Sequence, residues 1–214
     1  MSASSRTPES ARSCTPAIVL ASASPRRADL LARAGLAFRV MPAHVDEAVE
    51  AGVAPEDAAR TLAERKARAV AARLSERDAF VLGADTIVAV DRASGAEMLG
   101  KPDDARDARR MLAVLSGSRH RVVTGVCALR MEDGRLASGF ERTFVTMRAL
   151  SSREIDDYVA SGEWRDKAGG YAIQESADRF VTRLEEGGYD NVVGLPVALA
   201  LELLSRLGAP CGAR

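Results

Sequence analysis

The stretch "LASASPRRADLLARAG", residues Leu20–Gly35, predicts the end of a strand, a turn of small residues and then a helix. Ser24 suits the N-cap, Pro25 suits the first helical position, and Gly35 suits the C-terminal stop. The apolar run "AIVLA" at 17–21 precedes it and is typical of a buried strand. A strand followed directly by a helix is the repeating unit of α/β proteins, so this stretch sets the fold class.

Two arginines, Arg26 and Arg27, fall in the first turn of this helix. A helix N-terminus carries roughly half a positive charge, so each extra cation there costs about 0.3–1 kcal/mol. A bound anion would offset this cost, because unpaired backbone N–H groups, serine hydroxyls and guanidinium groups all bind phosphate oxygens. The alternative is that both arginines are solvated or paired with carboxylates elsewhere. The segment alone does not decide between the two.

The composition excludes some partners. The chain has 214 residues with 30 basic and 30 acidic side chains, so its formal net charge is zero. The chain has no overall charge excess of the kind that would indicate a nucleic acid or an anionic membrane as partner. No apolar run approaches the ~18 residues of a membrane-spanning helix. Three widely spaced cysteines are typical of a reducing compartment. The polar residues 1–16 are expected to form a disordered tail.

Hydrophobic periodicity, together with Gly and Pro residues that mark turns between elements, predicts the remaining elements. We expect strands at 37–43, 79–91 and 178–185, and an antiparallel hairpin over 120–150 that turns at "EDG". We expect helices at 55–74, within 100–117 with Asp103 or Asp104 as the cap, at 151–162 with a capping box of Ser151 and Glu154, and at 194–208. Residues 163–174 read as a Gly-rich loop. This order predicts an α/β protein with a mixed sheet.

Asp85 lies in "VLGADTIVAV", a run that otherwise indicates a buried strand. An ionised carboxylate there is unfavourable unless it is paired, hydrogen-bonded or bound to a metal. Gly83 would let a ligand approach the backbone closely. The sequence therefore favours a functional carboxylate, acting as a metal ligand, as a general base for a water molecule, or as both.

Several polar residues have no clear role from their local sequence. Lys101 in "LGKPDD" reads as a solvated turn lysine, and Lys66 in an arginine-rich helix reads as a surface residue. Asp166 and Lys167 lie in "WRDKAGGYAIQ", which combines Trp, Tyr, a charged pair and Gln. The amide of Gln174 can both donate and accept hydrogen bonds, as recognition of a base edge requires.

The order of motifs is more specific than any one of them. "LASASPRRADLL", "ERKARAV", "GADTIV", "GKPDD", "DKAGGYAIQ" and "GGYDNVVGLP" together resemble the Maf family. The resemblance implies a cytoplasmic nucleoside triphosphate pyrophosphatase that cleaves the α–β phosphoanhydride with a divalent cation, Mg²⁺ or Mn²⁺. It also implies a mixed twisted sheet with flanking helices and two lobes around a cleft, similar to inosine triphosphate pyrophosphatases. Residues 17–209 would form this single catalytic domain, and a homodimer is possible.

The same resemblance implies roles for individual positions. Asp85 would be the proton acceptor, and Glu47 and Asp85 would hold the metal. The phosphate-binding residues would be Ser22, Ser24, Arg26, Arg27, Lys66 and Lys101. Arg26, Thr86 and Gln174 would influence the choice of substrate.

The loop "DKAGGYAIQ" is similar to the branch of the family that acts on dTTP and UTP, whose pattern is DKAGAYGIQG. Ala172 and Glu175 each stand where that branch has glycine. Glu175 could alter base preference if it faced the cleft. The alternatives are the specificity of the 7-methyl-GTP branch, or a regulator of cell division that binds nucleotides without turnover.

Overall fold

The structure, a computed structural model, describes residues 17–50, 52–93 and 95–210. The strands are β1 (Ala17–Leu20), β2 (Phe38–Val40), β3 (Ala79–Arg92), β4 (Gly95–Leu99), β5 (Arg119–Arg130), β6 (Leu136–Met147) and β7 (Val181–Glu185). The helices are α1 (Pro25–Arg33), α2 (Pro55–Ala71), α3 (Ala105–Leu115), α4 (Ser152–Ser161), α5 (Tyr189–Val193) and α6 (Val197–Arg206). The predicted tail, residues 1–16, lies outside the described residues. No helix within the described ranges is long and apolar enough to cross a membrane.

All seven strands of the described chain join one mixed sheet in the order β2-β1-β3-β5-β6-β7, with β4 paired to β3. β1 runs parallel to both β2 and β3, whereas every other pairing is antiparallel. The predicted α/β fold with a mixed sheet is confirmed.

The long central strand β3 has two different neighbours along one edge. Its first part pairs with β1 as far as Leu82, and its last part pairs with β4 from Val88 onward. Between them, Gly83–Ile87 has β5 on one side and no strand of the described chain on the other. The chain leaving β1 turns away at this gap, which therefore opens beside Asp85. Crevices at such points, where neighbouring strands diverge, are common ligand sites in α/β sheets.

Helix α2 packs directly on β3 and β5 at two glycines. A Cβ atom on Gly83 would lie 2.3 Å from the carbonyl oxygen of Ala63, and one on Gly125 would lie 2.2 Å from that of Ala59. No side chain larger than hydrogen therefore fits between helix and sheet at these positions. Because side chains alternate along a strand, Asp85 lies on the same face of β3 as Gly83 and points toward α2.

The opposite face of the sheet is covered by α1 and α6, which bury Leu31, Leu203 and Leu204 against strand residues such as Leu82. A further core lies where α3 and α4 pack at the other end of the sheet, around Leu112. Together these layers bury both faces of the central strands, as the long apolar runs of β3 and β5 predict.

Most predicted elements are present with shifted ends. The hairpin is confirmed as β5 and β6, Asp104 caps α3, and the capping box of Ser151 and Glu154 opens α4. The strand predicted at 37–43 is only three residues long, and the one predicted from 178 starts at Val181 because 176–180 form a 3-10 turn. The prediction missed β4 and α5. Both are short and depend on their packing partners for stability.

Candidate active site

A cavity of about 760 Å³ opens at the gap beside β3. This volume suits a small-molecule ligand. Among the described residues its lining includes five basic and three acidic side chains, so the cavity favours an anion although the whole chain is neutral. Every predicted site residue contributes to the lining: Ser22, Ser24, Arg26, Arg27, Glu47, Lys66, Asp85, Thr86, Lys101 and Gln174.

The cavity wall formed by α2 and β3 holds a lysine between two carboxylates. The Nζ atom of Lys66 donates a hydrogen bond to Asp85 and lies 2.6 Å from Oε1 of Glu47. Lys66 is 7% exposed and Asp85 is 8% exposed. The interpretation of Lys66 as a surface residue, drawn from its local sequence, is therefore wrong. Its helix contains many arginines, but Lys66 lies on the face that meets Gly83 and Asp85.

A second lysine, in the turn before α3, approaches Glu47. The Nζ atom of the exposed Lys101 lies 3.2 Å from Oε2 of Glu47. Partial burial raises the pKa of Glu47, but the hydrogen bond and charge of Lys66, together with Lys101, outweigh this effect and hold the pKa below its usual value. Glu47 is thus negatively charged at neutral pH. It contacts one lysine on α2 and one in the turn before α3.

Arg27 is anchored within the protein by three hydrogen bonds. Its guanidinium group donates to the Gly194 carbonyl at 2.8 Å, to the Ser22 hydroxyl at 3.2 Å and to the Thr86 hydroxyl at 3.0 Å. Burial lowers the pKa of Arg27, and the charge of Asp85 opposes this shift. The side chain is therefore held in one position at the start of α1.

Arg26, the next residue, has a different environment. Its guanidinium group reaches the carbonyl oxygen of Asp166 at 3.3 Å, in the loop on the other side of the cavity. Asp166 has a φ of 60°, a left-handed conformation that is uncommon for residues other than glycine. The two arginines of "SPRR" thus differ: Arg27 is fixed by internal partners, whereas Arg26 spans the mouth of the cavity.

The two serines of the turn also differ. Ser24 occupies the N-cap position, but within the described ranges its side chain caps no helix N–H group. Its backbone N–H instead donates to the hydroxyl of the buried Ser22 at 3.2 Å. The N-terminal N–H groups of α1 and the Ser24 hydroxyl therefore remain available to a ligand in the cavity.

The residues predicted to choose the substrate lie apart from one another along the cavity. Thr86 donates or accepts a hydrogen bond with Thr124 at 3.0 Å, in addition to its bond from Arg27. Gln174 is exposed at the mouth. Glu175 is not among the described residues that line the cavity, and its Oε2 atom lies 2.9 Å from Nζ of Lys167.

Sequence reasoning assigned no role to three residues that shape the cavity. Lys167 is buried in its wall, and Tyr171 lines it while sharing a 2.8 Å hydrogen bond with His120. Gly194 supplies the carbonyl that orients Arg27. The available signal was the mixture of charged, aromatic and glycine residues in "DKAGGYAIQ" and "GGYDNVVGLP".

Two of the lining carboxylates could hold a divalent cation. Glu47 and Asp85 both approach the Lys66 ammonium, so their oxygens already converge on one positive charge. No group of three or more Asp, Glu, His or Cys side chains in the described residues could form a complete protein cage for a metal. Mg²⁺ is typically bound by one or two carboxylates, with substrate phosphates and waters completing the coordination. The donor set fits a cation bound in that way.

Fold and site together define an α/β protein with a charged cleft beside a helix N-terminus, at a gap in a mixed sheet. The chain belongs to the family of Maf-like proteins, whose sequence model matches residues 17–207.

Relatives of known name match over nearly the whole chain. A dTTP/UTP pyrophosphatase of Koribacter versatilis is 48% identical over 191 residues, which cover 89% of this chain and 94% of that protein. One from Caulobacter vibrioides is 50% identical over 194 residues, covering 90% and 96% respectively. A crystal structure of a nucleoside-triphosphatase / dITP/XTP pyrophosphatase from Mycobacterium abscessus is 19% identical, with a TM-score of 0.40 over 63% of this chain and 75% of that chain.

Proposed function

We propose that the protein is a nucleoside triphosphate pyrophosphatase that converts dTTP and UTP to the monophosphate and pyrophosphate. The observation that carries this proposal is the convergence of Asp85, Glu47 and four basic side chains on one cleft beside the N-terminus of α1. The identity of about half the residues with dTTP/UTP pyrophosphatases supports the reaction and the substrate class. The pattern "DKAGGYAIQ" supports the same branch.

The triphosphate binds at the start of α1. The free N–H groups of the helix, the hydroxyls of Ser22 and Ser24, and the guanidinium groups of Arg26 and Arg27 provide hydrogen-bond donors for phosphate oxygens. Lys66 and Lys101 add positive charge from the other side of the cleft. The bound anion would offset the electrostatic cost of placing two cations in the first turn of a helix.

Asp85 acts as the general base. It accepts the proton of a water molecule that attacks the α–β phosphoanhydride in line, while the bond to the leaving pyrophosphate breaks. Lys66 donates a hydrogen bond to this carboxylate. The basic groups stabilise the charge that develops on the leaving pyrophosphate, the largest contribution expected for phosphoryl transfer.

Glu47 and Asp85 would hold the divalent cation, Mg²⁺ or Mn²⁺, that the family resemblance implies. When bound, such a cation supplies positive charge next to the phosphate oxygens and neutralises part of the negative charge of the reacting groups. Lys66 would then share Glu47 and Asp85 with the cation, and Lys101 would lie beside Glu47. The Lys66 ammonium would then interact with the phosphate oxygens as well.

Arg26, Thr86 and Gln174 contribute to the choice of nucleotide, with Gln174 positioned at the mouth to bind a base edge. The catalytic unit is assigned to residues 17–209, with two lobes around the cleft. The cytoplasmic location and the homodimer that the family resemblance implies stay predictions.

The proposal is tested with a panel of dTTP, UTP, CTP, 5-methyl-UTP and 7-methyl-GTP, compared by kcat/KM for release of pyrophosphate. We expect dTTP and UTP to be preferred, and activity to be lost in EDTA and restored by Mg²⁺ or Mn²⁺. A preference for 7-methyl-GTP would contradict the assigned substrate class. A thermal shift with nucleotide but no turnover under any metal condition would instead indicate a nucleotide-binding regulator.

A further inference from the structure

The loop between α4 and β7 contains an ion pair that the proposed reaction does not use. Lys167 is only 8% exposed, and its Nζ atom lies 2.9 Å from Oε2 of Glu175. The same Nζ atom donates a hydrogen bond to the backbone carbonyl of Glu163. The lysine therefore links Glu163, four residues before it in the chain, to Glu175, eight residues after it.

A second contact closes the loop at its ends. Oε2 of Glu163 accepts hydrogen bonds from the backbone N–H of Ser176 at 3.1 Å and from the Ser176 hydroxyl at 2.6 Å. Within this frame the turn 172–175 is closed by a 3.2 Å hydrogen bond from the Glu175 N–H to the Ala172 carbonyl. Gln174 lies in this turn, between Ala172, which begins the turn, and Glu175, whose carboxylate anchors it to Lys167.

We propose that Glu175 is a positioning residue for base recognition: by pairing with Lys167, it fixes the turn that carries Gln174 at the mouth of the cleft. This inference rests on the proposed function, because it assumes that Gln174 binds the base. The carboxylate itself is outside the cavity lining, so it acts through Lys167 and the turn.

The expected kinetic consequence is specific. Without the anchor, the turn must be ordered when the base binds, which weakens binding of the nucleoside. The base does not change during cleavage, so the loss falls equally on bound substrate and transition state and raises KM while leaving kcat nearly constant. Binding of inorganic tripolyphosphate, which has no base, should change little.

The test compares Glu175→Gln with the unchanged chain and with Glu202→Gln. The control removes the carboxylate of the exposed Glu202–Arg206 pair of α6, outside the cleft. For Glu175→Gln we expect KM for dTTP and UTP to rise about three- to tenfold, as for loss of a partly buried ion pair. The inhibition constant of tripolyphosphate should change less than twofold, about the precision of such comparisons. Glu175→Asp keeps the charge and should restore part of the affinity.

Three outcomes would overturn the inference. KM for both nucleotides could stay unchanged, tripolyphosphate inhibition could weaken as much as nucleotide binding, or Glu175→Gln could match Glu202→Gln in every kinetic constant while differing only in Tm. Failure of the unchanged chain to release pyrophosphate from dTTP or UTP would overturn the proposed function as well. Because that chain is measured first, the two failures are distinguishable.

Discussion

Lys66 on α2 and Asp85 on β3 form a hydrogen-bonded ion pair in which both residues are more than nine-tenths buried. The pair lies where α2 rests on Gly83, two residues before Asp85 on the same face of the strand. Close packing of the helix thus brings a cation to a carboxylate that would otherwise be buried alone. The same pair supplies the proposed base and a cation for the phosphates.

Asp85→Asn is expected to lower kcat for pyrophosphate release from dTTP by about 10²–10⁴-fold, the usual contribution of a general base. Asparagine keeps the shape of the side chain but cannot accept the proton of water. The control is Asp91→Asn on the same strand, because Asp91 is exposed and pairs with Arg121 away from the cavity. A rate for Asp85→Asn equal to that of the control would show that the base is misassigned.

Gly83→Ala is expected to reduce both stability and activity. Its Cβ would lie 2.3 Å from the Ala63 carbonyl oxygen and 2.9 Å from the Ala67 nitrogen, so α2 must move away from the sheet. Overpacking of this kind destabilises proteins by about 1–3 kcal/mol or more. It would also displace Lys66 from Asp85.

The matched control is Gly139→Ala on β6, whose Cβ would lie 3.3 Å from the flexible end of Leu199. Urea unfolding and kcat/KM for dTTP measure the two effects. We expect a loss below about 1 kcal/mol and normal activity for the control, because a side chain can adjust where a backbone cannot. Equal losses in the two variants would contradict the role assigned to the α2 contact.

Arg26→Lys and Arg27→Lys should have different consequences. Lysine cannot reproduce the three hydrogen bonds that Arg27 makes to Gly194, Ser22 and Thr86, so Arg27→Lys should lower Tm and weaken every nucleotide alike. Among the described residues, the Arg26 side chain makes one hydrogen bond, to the Asp166 carbonyl, so Arg26→Lys should keep Tm and change the ratio of kcat/KM values between nucleotides. Tm and the nucleotide panel are the two measurements. Identical profiles for the two variants would argue against this division.

The buried His120 should make stability depend on pH. Burial lowers the pKa of His120 to about 4, below its ordinary value of 6.5. Between these values the unfolded chain binds more protons than the folded chain, so the free energy of unfolding falls as pH drops from 6.5 toward 4. A shift of this size corresponds to a loss of about 3 kcal/mol once pH reaches 4.

Urea unfolding at pH 7 and pH 5 tests this for the unchanged chain, His120→Gln and His44→Gln. Glutamine can keep a hydrogen bond to Tyr171 but has no charge to gain, so His120→Gln should lose less stability on acidification. His44 is exposed, so His44→Gln serves as the matched control. We expect its stability to depend on pH as that of the unchanged chain does. The same pH dependence in all three proteins would be incompatible with a buried, neutral His120.

Local sequence patterns predicted most of the fold because they reflect interactions between residues that are close together in the chain. The capping box at Ser151, the alternating strands of the hairpin and the apolar run of β3 each satisfy hydrogen bonding or burial within a few residues. Short elements such as β4 were missed because their stability comes from pairing with β3. The order of motifs indicated the family, and the site residues that the resemblance implies all line one cavity of the described structure.

The sequence by itself determined a strand–turn–helix with two arginines at a helix N-terminus and a carboxylate inside an apolar strand, since both patterns are unfavourable without a partner. Only the tertiary structure decided what those partners are. It buries Lys66 against Asp85 through the contact of α2 with Gly83, fixes Arg27 on the Gly194 carbonyl, and turns Glu175 toward Lys167. These contacts join residues far apart in the chain, and their geometry depends on how closely helix and sheet pack, which no local pattern encodes.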